Sequence, residues 1–225
     1  MPMATAKPTA APRKRGRPRQ FDYDEALDAA LRTFWHRGFT ATSLDHLTTA
    51  MRLNRPSVYA AFGNKDAAYG AALERYFATA GREFVAALAT PGHVREALTT
   101  FFSAVIESVT GRWGPTGCMI SCTLPAEAGH STAARKRLAS AIAKIDAAIS
   151  ARLSVAHAAG ELPAGADPAL LAQLVTGMLF ALAIRARAGA ARLELTKTVQ
   201  TFVALITPAD TGKRKRPAAR RPARR

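Results

Sequence analysis

Apolar residues recur at helical spacing through almost all of residues 21–207, and this pattern constrains the fold more than any other feature of the chain. Leu27, Leu31 and Phe34, for example, fall on one face of a single helix. The strict alternation that marks a half-buried strand is rare. Ala, Leu and Arg are abundant, and all three favour helices. We therefore expect an all-α fold.

Capping and breaking residues divide this pattern into separate helices. Asp22, with Glu25 three residues later, is a capping-box pattern, and Gly38 ends the first helix. Asn54 and Asn64 are expected to cap later helices. The predicted helices are about 22–37, a short helix from Thr42–Ser43, a short helix capped by Asn54, then 65–89, 92–110, 117–128, 131–159, 168–189 and 191–207.

Positive charge is concentrated at the two ends of the chain. The net charge is +16 and the pI is about 11.0, but residues 21–207 hold 18 basic and 15 acidic residues, a net charge of only +3. Residues 1–20 and 208–225 are rich in Pro and Ala without apolar periodicity, so we expect two basic tails that are disordered when unbound. Such charge points to nucleic acid or an anionic membrane surface as partner.

Other classes of protein find little support in the sequence. No apolar run reaches the roughly 18 residues of a membrane span, and no apolar segment follows the basic N-terminus as in a secretory signal. The five histidines show no ligand spacing, and no catalytic set or phosphate-binding Gly loop stands out. We expect a cytoplasmic, nucleoid-associated protein that is not an enzyme and has no metal, no cofactor and no membrane partner.

Residues 21–65 contain three short predicted helices joined by tight turns, as in a helix-turn-helix unit. The last helix of such a unit enters the major groove with its N-terminus, so its first turn must be polar and slim. The segment "NRPSVY" supplies Asn54, Arg55 and Ser57 there. Arg55 can form the paired hydrogen bonds that distinguish guanine, and a contact with phosphate alone is the alternative for it.

The segment "TSLDHLTTAMRLNRPSVYAAFGNKDAAYGAAL" resembles the DNA-binding domain of the TetR/AcrR family of bacterial transcriptional regulators. Tyr59 and Phe62 followed by Lys65, with "FWHRGFTATSL" upstream, form a specific pattern over residues 21–68. The resemblance implies a homodimer on double-stranded operator DNA and a larger helical domain for a small-molecule inducer. Arg52 departs from the family, which usually has Gly in this turn: either the turn differs, or Arg52 adopts the strained backbone with its side chain near DNA.

The resemblance also assigns roles to single residues. It implies that Arg55 and Pro56 lie at base edges and that other polar residues hold phosphates. From the residues themselves, the starts of the short helices offer hydroxyl groups and free N–H groups to phosphate. The predicted DNA contacts in this domain are Thr42, Ser43, Asn54, Arg55, Pro56, Ser57, Tyr59 and Lys65.

Residues 66–207 are expected to form the ligand-binding and dimerisation domain. Large apolar residues on its helices are candidates for the pocket, namely Phe101, Phe102, Trp113, Met119 and Phe180. The last two helices are the expected dimer face, because two long apolar helices can pair with their copies in a symmetric bundle. Its predicted residues are Leu170, Leu171, Leu174, Met178, Leu182, Val199, Phe202 and Ile206.

The N-terminal tail contains "RGRP", in which Arg15 and Arg17 flank a glycine. This core resembles an AT-hook, whose slim extended chain lies in the narrow minor groove of A·T-rich DNA. A plain cationic tail that adds only nonspecific attraction is the alternative. The C-terminal tail, "KRKRPAARRPARR", lacks that core and predicts nonspecific binding only.

Two further alternatives stay open. Cys118 and Cys122 share one side of a helix and could form a soft-metal or thiol sensor, but small buried hydrophobes are the favoured interpretation. The whole protein could be a nonspecific architectural DNA-binding protein that uses its tails. We expect instead a transcriptional regulator, in the first place a repressor, that binds a palindromic operator as a homodimer and is released by a small molecule.

Overall fold

Every regular element in the described part of the chain is helical, as the sequence predicts. The computed structural model describes residues 21–112 and 114–207. The elements in chain order are α1 (Tyr23–Arg37), α2 (Leu44–Met51), α3 (Arg55–Phe62), α4 (Lys65–Tyr76), a π-helical turn (Phe77–Gly81), α5 (Arg82–Leu88), α6 (Val94–Val109), α7 (Met119–Ala128), α8 (Thr132–Ala158), α9 (Pro168–Arg187) and α10 (Arg192–Ile206).

The predicted caps are confirmed at the helix starts. The Asp22 carboxylate accepts hydrogen bonds from the first-turn amides of α1, the nearer at 2.8 Å. Asn54 accepts from the amide of Ser57 at 2.9 Å, and Asn64 from the amide of Ala67 at 2.8 Å. Each cap satisfies an amide that has no partner within its helix, so these side chains fix where the helices begin.

The first four helices share one small core. Phe34 of α1, Leu47 of α2 and Phe62 of α3 are all buried, and α4 packs against both α1 and α3. The T-shaped contact between Phe34 and Tyr69 of α4, with ring centroids 5.1 Å apart, joins the first helix to the fourth. This packing leaves the N-terminus of α3 exposed at the surface.

The predicted helix 65–89 is interrupted where the sequence gives no warning. The π-helical turn carries one residue more per turn than an α-helix, and one α-helical residue corresponds to about 100° of rotation. Side chains after the turn therefore face a different direction from those before it. Tyr76 packs on Trp35 of α1 at 5.0 Å, whereas Phe84 packs on Phe101 of α6 at 5.9 Å.

The remaining helices form a second packed unit. α8 packs along α7 and α9, while α6 contacts α5, α9 and α10. Phe101, Phe102, Met119 and Leu153 are among its fully buried side chains. α7 also contacts α1 and α4 and so helps to connect this unit to the first one.

An apolar face on α9 and α10 is left uncovered by the other described residues. Leu170, Leu174, Ile184, Leu193 and Leu205 are each more than half exposed. By length and composition alone, α9 is long and apolar enough to cross a membrane. Core helices of soluble proteins share this property. Because α9 packs against α6, α7 and α8, its apolar composition is explained by that packing together with the uncovered face.

The structure corrects part of the predicted dimer face. Leu182 and Val199 are buried within the chain itself, so they cannot contact a second copy. Leu170 and Leu174 are exposed as predicted. The remaining predicted residues, Leu171, Met178, Phe202 and Ile206, are partly buried.

Candidate DNA-binding surface and apolar cavity

The turn between α2 and α3 has the left-handed backbone that usually requires glycine. Arg52 has φ 56° and ψ 38°, and it is the one non-glycine residue with positive φ in the described ranges. Its amide lies within reach of the last carbonyls of α2, and its side chain is exposed. The turn therefore keeps its geometry and accepts the strain of a side chain, roughly 1–2 kcal/mol.

The first turn of α3 presents its polar residues outward. Arg55 and Pro56 are exposed, and Tyr59 one turn later is 52% exposed although its neighbour Val58 is buried. An aromatic side chain so open to solvent contributes little to the core, so Tyr59 is available to contact a ligand. The Asn54 side chain is engaged in capping, so its amide oxygen is already occupied.

Arg55 is held in place by Asp45 of α2, a partner that the sequence analysis missed. Its Nη2 donates to both carboxylate oxygens of Asp45, at 2.7 and 3.0 Å, and its Nε donates to one of them at 3.2 Å. The hydrogen bonds and charge of Asp45 raise the pKa of Arg55. Both side chains are more than half exposed, so water screens the pair and Arg55 can exchange Asp45 for another acceptor.

At the start of α2, the structure uses the predicted hydroxyls differently. Thr42 is fully buried, and its hydroxyl donates to the carbonyl oxygen of Gly38 at 2.6 Å, so it is not presented to a ligand. Ser43 is exposed and accepts from the amide of His46, while the ring of His46 accepts from the amide of Ser43. Ser43 keeps its own hydroxyl proton free to donate.

Lys65 is turned inward rather than outward. Its ammonium donates to the carbonyl oxygens of Phe39 at 3.1 Å and Thr42 at 2.9 Å. The same nitrogen lies 4.2 Å from the centroid of the Phe39 ring. A lysine at the start of α4 thus closes the loop between α1 and α2. This role for Lys65 was not predicted, and it competes with the expected phosphate contact.

Several side chains couple the first four helices to the rest of the chain. The indole of Trp35 donates to the carbonyl oxygen of Gly117 at 3.2 Å, and Arg187 of α9 donates to the carbonyl oxygen of Trp35 at 3.0 Å. The hydroxyls of Tyr69 and Thr123 lie 2.7 Å apart in the interior. These hydrogen bonds join α9 and the loop before α7 to α1, and α7 to α4.

Ion pairs strengthen the same junction at the surface. Arg137 of α8 donates to both carboxylate oxygens of Asp66 at 2.7 Å, and this hydrogen bonding lowers the pKa of Asp66. Glu127 of α7 accepts from the amide and the hydroxyl of Thr40. These contacts join α4 and the α1–α2 loop directly to the second unit.

A cavity of about 620 Å³ lies beyond the π-helical turn. Its walls come from the end of α4 and from α5, α6, α7, α8 and α9. The lining is almost entirely apolar and includes Phe77, Phe84, Phe101, Ile145, Ile149 and Leu179. Its volume lies in the range of about 300–1,000 Å³ that is typical of small-molecule sites.

The predicted pocket residues differ in their position relative to the cavity. Phe101 lines the cavity, but Phe102 and Met119 are fully buried in the core and do not. Phe180 is also absent from the lining, where its neighbour Leu179 stands instead, because adjacent residues of a helix face about 100° apart. Trp113 lies outside the described residues.

Cys118 lines the cavity, and burial raises the pKa of its thiol. A buried neutral thiol is a poor nucleophile and a poor metal ligand, so this environment favours the interpretation of Cys118 as a small hydrophobe. Cys122 is partly buried and forms no disulfide with it. Among the described residues, no group of three or more His, Cys, Asp or Glu is placed to hold a metal ion.

Comparison with known proteins identifies the family. Residues 26–72 match the family model of bacterial regulatory proteins of the tetR family, and residues 91–202 match the tetracyclin repressor-like C-terminal domain. The transcriptional repressor ComR of Escherichia coli is 32% identical over 207 residues, which cover 90% of this chain and 97% of ComR. This chain belongs to the TetR family.

Solved structures of TetR-family regulators agree with the fold. A cysteine-substituted form of the regulator CifR, in complex with a 26-bp double-stranded operator DNA, is 30% identical and matches with a TM-score of 0.78, covering 85% of this chain and all of the CifR chain. Reduced NemR of Escherichia coli matches at 20% identity with a TM-score of 0.71, which shows the shared fold alone. The TetR family consists of DNA-binding transcriptional regulators and not of enzymes, and this chain is such a regulator.

Proposed function

We propose that the protein is a homodimeric repressor that binds a palindromic operator and leaves it when a small molecule occupies the apolar cavity. One observation carries the proposal: the end of α4 and the π-helical turn and α5 that follow it form one wall of the cavity, and α4 also packs against α1 and α3. A ligand in that cavity touches the segment from Tyr76 to Ala89 and so acts on the position of α4.

On DNA, the exposed first turn of α3 enters the major groove. Arg55 exchanges Asp45 for guanine, and Pro56 packs at a neighbouring base edge. Ser43, Ser57 and Tyr59 hold phosphates and fix the register. Thr42 and Lys65 support this surface from within through hydrogen bonds to backbone carbonyl oxygens, and Asn54 caps α3 through its side-chain oxygen. In the N-terminal tail, which lies outside the described residues, Arg15 and Arg17 are proposed to contact the minor groove.

The uncovered face of α9 and α10 is the proposed dimer interface. Its five exposed apolar side chains would otherwise face water, and a second copy can cover them in a twofold arrangement. A palindromic operator has two half-sites about one helical turn of DNA apart. A dimer fixes the distance between its two α3 helices and so allows both half-sites to be bound. Light scattering at micromolar concentration should give twice the chain mass, and a monomer would contradict the proposed interface.

Release follows from a change in that distance. A ligand that binds more tightly to a conformer with the reading helices wrongly spaced must shift the population toward it and lower operator affinity. Trp35, Gly117 and Arg187 provide a direct path, since their hydrogen bonds join α1 to the loop before α7 and to α9. The expected setting is the cytoplasm.

Selection of bound sequences from random DNA tests the proposal. We expect one palindromic site, with guanine at a fixed position in each half. The basic tails favour a second candidate, an architectural protein that coats DNA regardless of sequence. Recovery of no preferred sequence would refute the repressor and support that candidate.

A further inference from the structure

The charged residues at the cavity suggest what kind of molecule it takes. Two of its lining residues are charged, Arg82 of α5 and Lys144 of α8, and both are positive. None of the described residues in the lining is acidic. Two cations on facing helices beside an apolar wall form a potential that attracts an anion and leaves a neutral molecule unaffected.

Neither cation forms an ion pair with another described residue. The ammonium of Lys144 lies 5.7 Å from the ring centroid of Phe77 and makes no ion pair. Arg82 donates through Nε to the carbonyl oxygen of Ala78, which leaves its two terminal nitrogens without a carboxylate partner. Other arginines of the described helices, such as Arg55, Arg75 and Arg137, are paired with aspartates. Both Arg82 and Lys144 are exposed, so their heads can reach a group at the cavity edge.

The rest of the lining is mainly aromatic and aliphatic. Phe84 and Phe101 meet edge to face, with ring centroids 5.9 Å apart, and Ile145, Ile149 and Leu179 complete the apolar surface. Transfer of a hydrocarbon body from water to such a surface is favourable, roughly in proportion to the buried area. The cavity is therefore apolar in its body and cationic at two points of its lining.

On the basis of the proposed function, we infer that the effector is an apolar monocarboxylate. Its hydrocarbon body packs against Phe84 and Phe101, and its carboxylate binds between Arg82 and Lys144. A carboxylate accepts charge-assisted hydrogen bonds from a guanidinium and an ammonium at once. The alkyl or aryl nature of the body is left to experiment, because both pack on the same wall.

Calorimetric titration of the full chain with matched probes tests this inference. Decanoate and decan-1-ol have the same chain length and differ in charge, and 2-naphthoate with 2-naphthol forms the aryl pair. We expect at least one acid to bind about fivefold more tightly than its alcohol, as two partly screened ion pairs allow. The double variant Arg82→Met/Lys144→Met should lose this preference and keep its affinity for the alcohol. Lys136→Met, which removes an exposed lysine of α8 outside the cavity lining, should keep the preference.

Several results would overturn the inference. The acid and its alcohol could bind equally tightly, or neither acid could bind. The preference for the acid over the alcohol could also persist in the double variant. A separate measurement of operator affinity distinguishes failure of the proposed function from failure of this inference. If only neutral apolar molecules release the operator, the proposed ligand-relieved repressor stands and the inferred carboxylate effector is refuted. Binding of an acid through Arg82 and Lys144 without any change in operator affinity would keep the ligand class and refute relief by ligand.

Discussion

Replacing Lys65 by alanine should weaken the fold before it weakens DNA binding. The substitution removes two hydrogen bonds, to the carbonyl oxygens of Phe39 and Thr42, and the contact with the Phe39 ring. Hydrogen bonds of charged groups contribute about 1.5–3 kcal/mol each, and a cation over an exposed ring about 0.5–1 kcal/mol. Because the side chain is only partly buried and water replaces some of these contacts, we expect a total loss of about 2 kcal/mol.

Urea unfolding of wild type and Lys65→Ala at equal protein concentration measures this loss. In a chain of this size, about 2 kcal/mol corresponds to a fall in Tm of roughly 4–8 °C. Lys136→Ala is the matched control, since it removes an exposed lysine with no such contacts, and its effect should stay within about 0.5 kcal/mol. Operator binding over a range of salt concentrations then shows whether Lys65 also neutralises a phosphate.

The two roles of Lys65 give opposite results. For a lysine held within the protein, the slope of log K against log salt should not change. A phosphate contact would reduce the slope by about 0.9 and leave the free energy of unfolding almost unchanged. Unchanged stability together with the reduced slope would refute the internal role of Lys65.

The other predictions concern recognition and release. Arg55→Ala should cost about 1–3 kcal/mol of operator affinity and relax specificity at one position per half-site, as sequence selection with the variant would show; an unchanged sequence profile would make Arg55 a phosphate contact. The Cys118→Ser/Cys122→Ser variant should bind its operator and still respond to the inducer in a gel-shift assay; a response to copper or an electrophile that is lost in this variant alone would restore the sensor alternative. Deletion of residues 1–19 should weaken binding most where A·T pairs flank the half-sites, whereas deletion of 208–225 should weaken all sites alike; equal losses on A·T- and G·C-flanked operators after the first deletion would leave a plain cationic tail.

The helices were predictable because their signals are local. Asp22, Asn54 and Asn64 each cap a helix through a side chain that bonds to an amide two or three residues later, so the sequence itself contains the geometry. Arg52 illustrates the limit of such signals. The resemblance to the family implies glycine in this turn, but only the backbone shows that the left-handed turn persists with Arg52.

The site was less predictable because it depends on contacts between distant segments. Lys65 and Phe39 are 26 residues apart, and Arg55 and Asp45 are ten apart on different helices. No periodicity indicates such pairs. The lining of the cavity depends on such contacts too: Phe101 and Phe102 are equally apolar, and only the packing of neighbouring helices decides which of them borders the cavity.

The π-helical turn offsets the apolar faces of the helices on its two sides. Before Phe77, the buried residues of α4 face the core of the first four helices. After Gly81, the apolar residues of α5 face the cavity, and the turn shifts the helical register by one residue between them. Deletion of a single residue within the turn would give α4 and α5 one continuous α-helical register. Phe84 would then rotate by about 100° away from Phe101 while Tyr76 kept its place on Trp35. A one-residue deletion in this segment is therefore expected to disturb the proposed effector cavity more than the proposed DNA-binding surface.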